Sequence, residues 1–194
     1  MFGDWYNWLI EVFGIVLTGI SIKCMDDLLD AEYDQCVGRQ TLAGKLGKAI
    51  LPYALLVLAI GIFVAKEIAL VLFLASYAIG MGHDLREKMP TGLPGWGEGL
   101  AALVFGMLLA GPIPMIWGLM IIGAVQLLDD LVDIYKDTQS GQRNSAVRLG
   151  VVETTLLAVI CFLFAVLLDA KDSVLVLLAT PLVHMILELM GGDK

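Results

Sequence analysis

Eight aspartates, set in two short stretches, are the residues of this chain best suited to chemistry. The first stretch, residues 25–47, reads MDDLLDAEYDQCVGRQTLAGKLG; the second, residues 128–150, reads LDDLVDIYKDTQSGQRNSAVRLG. They match at an offset of 103 (129 − 26). Asp26, Asp27, Asp30 and Asp34 align with Asp129, Asp130, Asp133 and Asp137. Gly38 aligns with Gly141, Lys45 with Arg148, Leu46 with Leu149 and Gly47 with Gly150. On a helix turning about 100° per residue, the four aspartates of each copy fall within one quadrant. Lys23 shares that quadrant in the first copy, and Gln126 takes its position in the second.

Four carboxylates on one face repel one another and raise each other's pKa. Each set follows a long apolar run, near a helix C-terminus, where the macrodipole favours cations. Helix stability therefore does not explain them, whereas a bound divalent cation does. Magnesium suits the set: it takes hard oxygen ligands and is commonly shared between one or two carboxylates and a substrate phosphate. The expected metal-holding residues are Asp26, Asp27, Asp30 and Asp34 with Asp130, Asp133 and Asp137. Two such columns face to face would hold metal on both sides of a diphosphate. Basic residues in the loops that follow, Arg39, Lys45, Arg143 and Arg148, would meet the phosphate oxygens directly. Lys23 and Gln126 complete the expected substrate contacts. The plainer alternative is that both columns are solvated caps and the basic residues only set membrane orientation.

The elements that must carry these residues are apolar helices. Of 194 residues, 59% are hydrophobic and 16% charged, and the mean hydropathy is +0.86. A soluble domain carries about 25% charged residues. The apolar residues come in blocks, roughly Leu9–Ile22, Ile50–Ala65, Ile68–Met81, Leu100–Leu109, Ile113–Leu128, Val151–Leu168 and Val174–Met190. With its flanks, each block reaches the length of a membrane span, the fourth being the shortest. The expectation is an all-α, polytopic transmembrane bundle of about seven helices, one domain over residues 1–194, with an internal two-fold repeat.

No basic stretch precedes the first apolar run, so a secretory signal peptide is not expected there. Trp5, Tyr6 and Trp8 read as an interfacial belt. The net charge of −8 argues against nucleic-acid binding. Cys24, Cys36 and Cys161 have no zinc spacing and read as packed thiols. With seven spans, ten of the 12 basic residues fall on one side and only Lys66 and Lys171 on the other. Positive charge marks the cytoplasmic side, which puts the N-terminus outside and both aspartate stretches in the cytoplasm.

DDLLDAEYD and DDLVDIYKD, each followed by a basic residue and Leu-Gly, resemble the two aspartate-rich motifs of the UbiA superfamily of intramembrane prenyltransferases. The family's first motif begins with Asn, where this chain has Asp26; Asp27, Asp30 and Asp34 match. Asp133, Asp137, Arg143, Leu149 and Gly150 fit the second motif. Leu85–Lys88, Gly95–Gly99 and Phe105-Gly106 resemble the family's middle loop, nearest to the naphthoquinone-precursor branch. The resemblance runs from about Ile22 to Leu168. It implies magnesium-dependent transfer of an isoprenoid chain from a prenyl diphosphate to an acceptor, with Asp27, Asp30 and Asp133 as catalytic residues. It also implies that the helix before the first motif and the last helix are missing. A homodimer or a partner subunit would then complete the wall of the prenyl pocket.

Tyr53, Tyr77, Phe105 and Trp117 are candidates to face an allylic cation, although apolar packing explains each. His83-Asp84 reads either as a general base or as a polar helix end, the latter preferred. His184 and Glu188 share a face near the cytoplasmic end of the last block and read as structural. Three other functions fit the same residues. A prenyl-diphosphate cyclase or hydrolase needs no acceptor. A non-catalytic prenyl-lipid-binding protein would keep the site without turnover. A cation transporter fits less well, because the aspartates lie at helix ends and basic residues trail them.

Overall fold

The computed structural model describes residues 2–36, 38, 41–82 and 85–191, the side chains of residues 2–5, 32, 33 and 35 aside. Every regular element among them is helical, apart from an isolated bridge between Lys88 and Pro94. The helices are α1 (Phe2–Leu29), α2 (Ala31–Cys36), α3 (Leu42–Leu46), α4 (Ile50–Val64), α5 (Lys66–Gly80) and α6 (Gly95–Ala110). They continue with α7 (Pro112–Val132), α8 (Ile134–Ser140), α9 (Ser145–Leu149), α10 (Val151–Leu168) and α11 (Ala170–Gly191), and a 3-10 turn joins α3 to α4.

Five described stretches are long and apolar enough to cross a membrane: Tyr6–Leu29, Leu42–Val64, Pro112–Val132, Val151–Leu168 and Ala170–Gly191. The chain is an integral membrane protein on that ground. All seven apolar blocks become helices, but α5 and α6 have only 15 and 16 residues, whereas α4, also 15, runs on from α3 and the 3-10 turn as one stretch of 23. At a rise of 1.5 Å per residue α5 and α6 reach about 22–24 Å, short of a hydrocarbon core of about 30 Å. Five helical stretches among the described residues, rather than the expected seven, therefore have the length of a full crossing.

The aspartate stretches fold alike, element by element. α1 ends at Leu29 and α7 at Val132, so a break falls at Asp30 and again at Asp133. α2 and α8 start one residue later, and α3 and α9 span equivalent positions, all at the sequence offset of 103 (133 − 30). The turns between them use Gly38 (φ 76°) and Gly141 (φ 74°), a left-handed conformation that a Cβ disfavours. Gly47 (φ 52°) and Gly150 (φ 107°) close the second short helix of each copy.

The chain divides into two compact units, Met1–Ala69 with Asp133–Asn144 and Val174–Lys194, and Leu70–Val132 with Ser145–Ser173. In the first, α1 packs along α4. A methyl on Gly14 would land on Ala65, and one on Gly61 would come within 3.1 Å of Thr18 Oγ1. Small residues let helices approach closely in lipid, where packing rather than water exclusion drives association. Thr18 Oγ1 donates to the Gly14 carbonyl, and Ser21 Oγ donates across to the Ala54 carbonyl, each at 2.8 Å. These bonds satisfy hydroxyls that are fully buried. α11 meets α1 at Gly19 and Val183.

In the second unit α7 packs along α10, with Gly123 beside Cys161. α6 folds back on α7 where Gly106 lies under Met115, and Gly118 of α7 sits against Val71 and Ala75 of α5. Trp117 Nε1 donates to Ser173 Oγ at 2.9 Å. Before α6, residues 87–95 form a tight turn, with Met89 N donating to the Leu93 carbonyl at 2.9 Å and Gly95 N to the Glu87 carbonyl at 3.0 Å. The buried carboxylate of Glu98 accepts hydroxyl hydrogen bonds from Tyr77 and from Thr91 at the tip of that turn.

Candidate functional site

The acidic stretches are held by short helices at the ends of α1 and α7. The breaks at Asp30 and Asp133 do not lose helical register. Asp30 N donates to the Asp26 carbonyl at 3.0 Å, Asp34 N to the Asp30 carbonyl at 2.9 Å, and Asp137 N to the Asp133 carbonyl at 2.9 Å. The carboxylates of each set thus stay at helical spacing, but they do not form one water-facing stripe. Asp27, Asp34 and Asp137 are buried, Asp26 is exposed, and Asp30 lies between these extremes.

Within the first unit, α2 and α8 touch. The second halves of the two acidic stretches therefore come together. The contact includes a side-chain hydrogen bond between Gln142, just after α8, and the Asp30 carboxylate at the start of α2. Beside it, Asn144 Nδ2 donates to Asp137 Oδ2 at 2.7 Å, with both residues buried. Lys23 Nζ lies 2.9 Å from Asp26 Oδ2 and 3.5 Å from Asp27 Oδ1. Lys136 Nζ lies 2.8 Å from Asp133 Oδ1.

Asp30 holds its proton unusually well, with a pKa pushed up to about 6. Burial is the larger cause and the negative charge of Asp26 the next; the Gln142 hydrogen bond and Lys23 pull the other way. Repulsion between the carboxylates, expected from the spacing, therefore acts at Asp30 but ranks behind desolvation.

Lys23, Asp26, Asp27, Asp30, Asp34, Lys45, Asp133, Asp137 and Arg143 belong to the first unit, whereas Gln126, Asp129, Asp130 and Arg148 belong to the second. Lys45, Arg143 and Arg148 are exposed. The Asp130 carboxylate accepts from Ser145 N at 2.8 Å and so caps the first turn of α9. Arg39, His83 and Asp84 lie outside the described residues, as does the side chain of Trp5. Trp117 is buried and bonded to Ser173, Tyr77 is bonded to Glu98, and Tyr53 and Phe105 are exposed.

The spacing argument passed over Gln142 and Asn144. A signal was present: Asn144 aligns with Thr41 at the repeat offset, and Thr41 is the N-cap of α3. A capping amide one residue before a short helix is a polar group that folding buries.

Among the described residues, no three His, Cys, Asp or Glu side chains converge as a ready-made metal set. The donor chemistry still fits magnesium, since the oxygens are hard and the ion commonly takes only one or two carboxylates plus substrate phosphates. No family model, curated protein or solved structure matches the chain.

Proposed function

We propose that this protein is a magnesium-dependent intramembrane prenyltransferase of the UbiA type, acting on a prenyl diphosphate. The observation that carries the reading is the contact between α2 and α8, with Gln142 bonded to Asp30. Two acidic segments 103 positions apart in sequence (133 − 30) meet there, and a divalent cation shared between them would offset the repulsion of their carboxylates. Asp30 and Asp34 from one copy, and Asp133 and Asp137 from the other, would hold the metal. When bound, it supplies positive charge against the charge developing on a leaving diphosphate.

The chain's own residues do the rest. Asn144 fixes the Asp137 carboxylate and Gln142 fixes that of Asp30, so neither has to reorient when charge develops. Lys45 and Arg143, exposed nearby in sequence, reach for phosphate oxygens. The isoprenoid tail stays in hydrocarbon beside the apolar helices, and the bilayer excludes water from the reacting carbon. In this reading α5 and α6 also cross the membrane, the N-terminus lies outside and the acidic ends face the cytoplasm.

Incubation of the purified protein with labelled prenyl diphosphates of several lengths tests this. Magnesium-dependent diphosphate release should fall at least 100-fold in Asp30→Ala and in Asp133→Ala. Release without any acceptor would assign a cyclase or hydrolase instead. Tight binding without release would leave a silent lipid-binding protein, and absence of binding sinks all three.

A further inference from the structure

The turn before α6 is held in one shape from three directions. Its arms are tied where Met89 N donates to the Leu93 carbonyl, Gly95 N to the Glu87 carbonyl and Trp96 N to the Leu85 carbonyl. At its tip, Thr91 donates to the buried Glu98 carboxylate of α6, which also accepts from Tyr77 of α5. The turn is thereby folded down onto the start of α6. Its surface mixes two kinds of side chain. Leu85, Leu93 and Trp96 are exposed, Trp96 at 57%. Arg86 and Lys88 are exposed beside them and make no ion pair among the described residues. The arm from Leu85 to Met89 carries these two cations against one carboxylate, Glu87.

Helix length sets the depth of this turn. α6 and α7 meet at Gly111 and pack against each other, with 16 and 21 residues. At 1.5 Å per residue they rise about 24 and about 32 Å. Only α7 matches a hydrocarbon core of about 30 Å, so α6, running back from the same boundary, stops about 8 Å below the level where α7 ends. The turn then lies where acyl chains give way to headgroups, a zone that suits tryptophan and long cationic side chains. We propose that the turn before α6 is an interfacial dock for anionic phospholipid, with Arg86 and Lys88 on headgroup phosphates and Trp96 and Leu93 among the upper acyl carbons. Two unpaired cations complement an anionic headgroup, whereas a zwitterionic one offers them no net attraction. The Thr91–Glu98 bond keeps the turn at that depth. This inference needs membrane embedding alone and is independent of the enzyme reading.

Lipids brominated near the top of the acyl chain quench a tryptophan that lies beside them. The full chain is placed in phosphatidylcholine nanodiscs carrying a minor fraction of brominated phosphatidylglycerol or, in parallel, of brominated phosphatidylcholine. The Trp96 signal is the difference between the unaltered chain and Trp96→Phe. Brominated phosphatidylglycerol should quench that signal at least twofold more than brominated phosphatidylcholine, and the preference should vanish when Arg86→Gln and Lys88→Gln are combined. Equal quenching by the two lipids, quenching by neither, or a preference that survives in the double variant each overturns the proposal. Should the double variant lose helix content by circular dichroism, salt takes its place: molar sodium chloride must remove the preference of the unaltered chain, and persistence overturns the proposal equally. Millimolar pyrophosphate separates lipid headgroups from a substrate's phosphates. The preference should survive it; loss of the preference would give the two cations to the substrate and overturn the dock.

Discussion

Asp30 stands at the break between α1 and α2 and accepts its hydrogen bond from the other acidic stretch. Its carboxyl, with a pKa of about 6, binds a proton more tightly in the folded chain than in an unfolded one, where the value is near 3.8. The stability this contributes is complete below the unfolded value and is lost as pH rises through about 6. Without divalent cations, the melting temperature in detergent should therefore fall between about pH 4 and pH 6, and Asp30→Asn should flatten that slope. A circular-dichroism melt at each pH checks it; an equal slope in the variant would show that another group titrates. Magnesium should act in the opposite sense, stabilising most at pH 7, where the carboxylate is free of its proton.

Short helices carry the second halves of the two acidic stretches, and α2 and α8 touch within the first unit. Gly38 and Gly141 hold φ of 76° and 74°, and a Cβ added at either would meet nothing within 4 Å. The cost of Gly38→Ala or Gly141→Ala is then backbone strain alone, about 1–2 kcal/mol each. The two costs should be nearly equal, because the two glycines hold nearly the same positive φ. Equilibrium unfolding in mixed micelles would measure both. A difference of several-fold between them would mean that the copies do not share a turn. Alignment shows which glycines correspond; that both take a positive φ is decided by the folded backbone.

For the whole chain, the question is which helices cross and in which direction. The proposed orientation predicts that, in a background without the native cysteines, single cysteines at positions 48 and 141 label with an impermeant maleimide from the cytoplasmic side only. Positions 66 and 171 should label only from the outside. Positions 66 and 141 labelling from one and the same side would invert the assignment of positive charge and remove the cytoplasmic site. Full crossing by α5 and α6 is the part of this scheme that length alone does not supply, since both fall short of the hydrocarbon thickness.

Helix type, membrane embedding and the two matched acidic stretches were all readable from residue order, because hydropathy, helical period and internal repetition are local properties. Local pattern placed Asp26, Asp27, Asp30 and Asp34 on one face but could not say which of them would be buried. Folding buries Asp27 and Asp34 and leaves Asp26 exposed, because burial depends on what packs alongside. Nor could spacing find Gln142 against Asp30, Asn144 against Asp137, or Asp130 acting as the cap of α9. Those pairings join groups from 7 to 112 positions apart (144 − 137; 142 − 30), and only the packing of α2 on α8 and the turns around it decide which distant polar groups share a space.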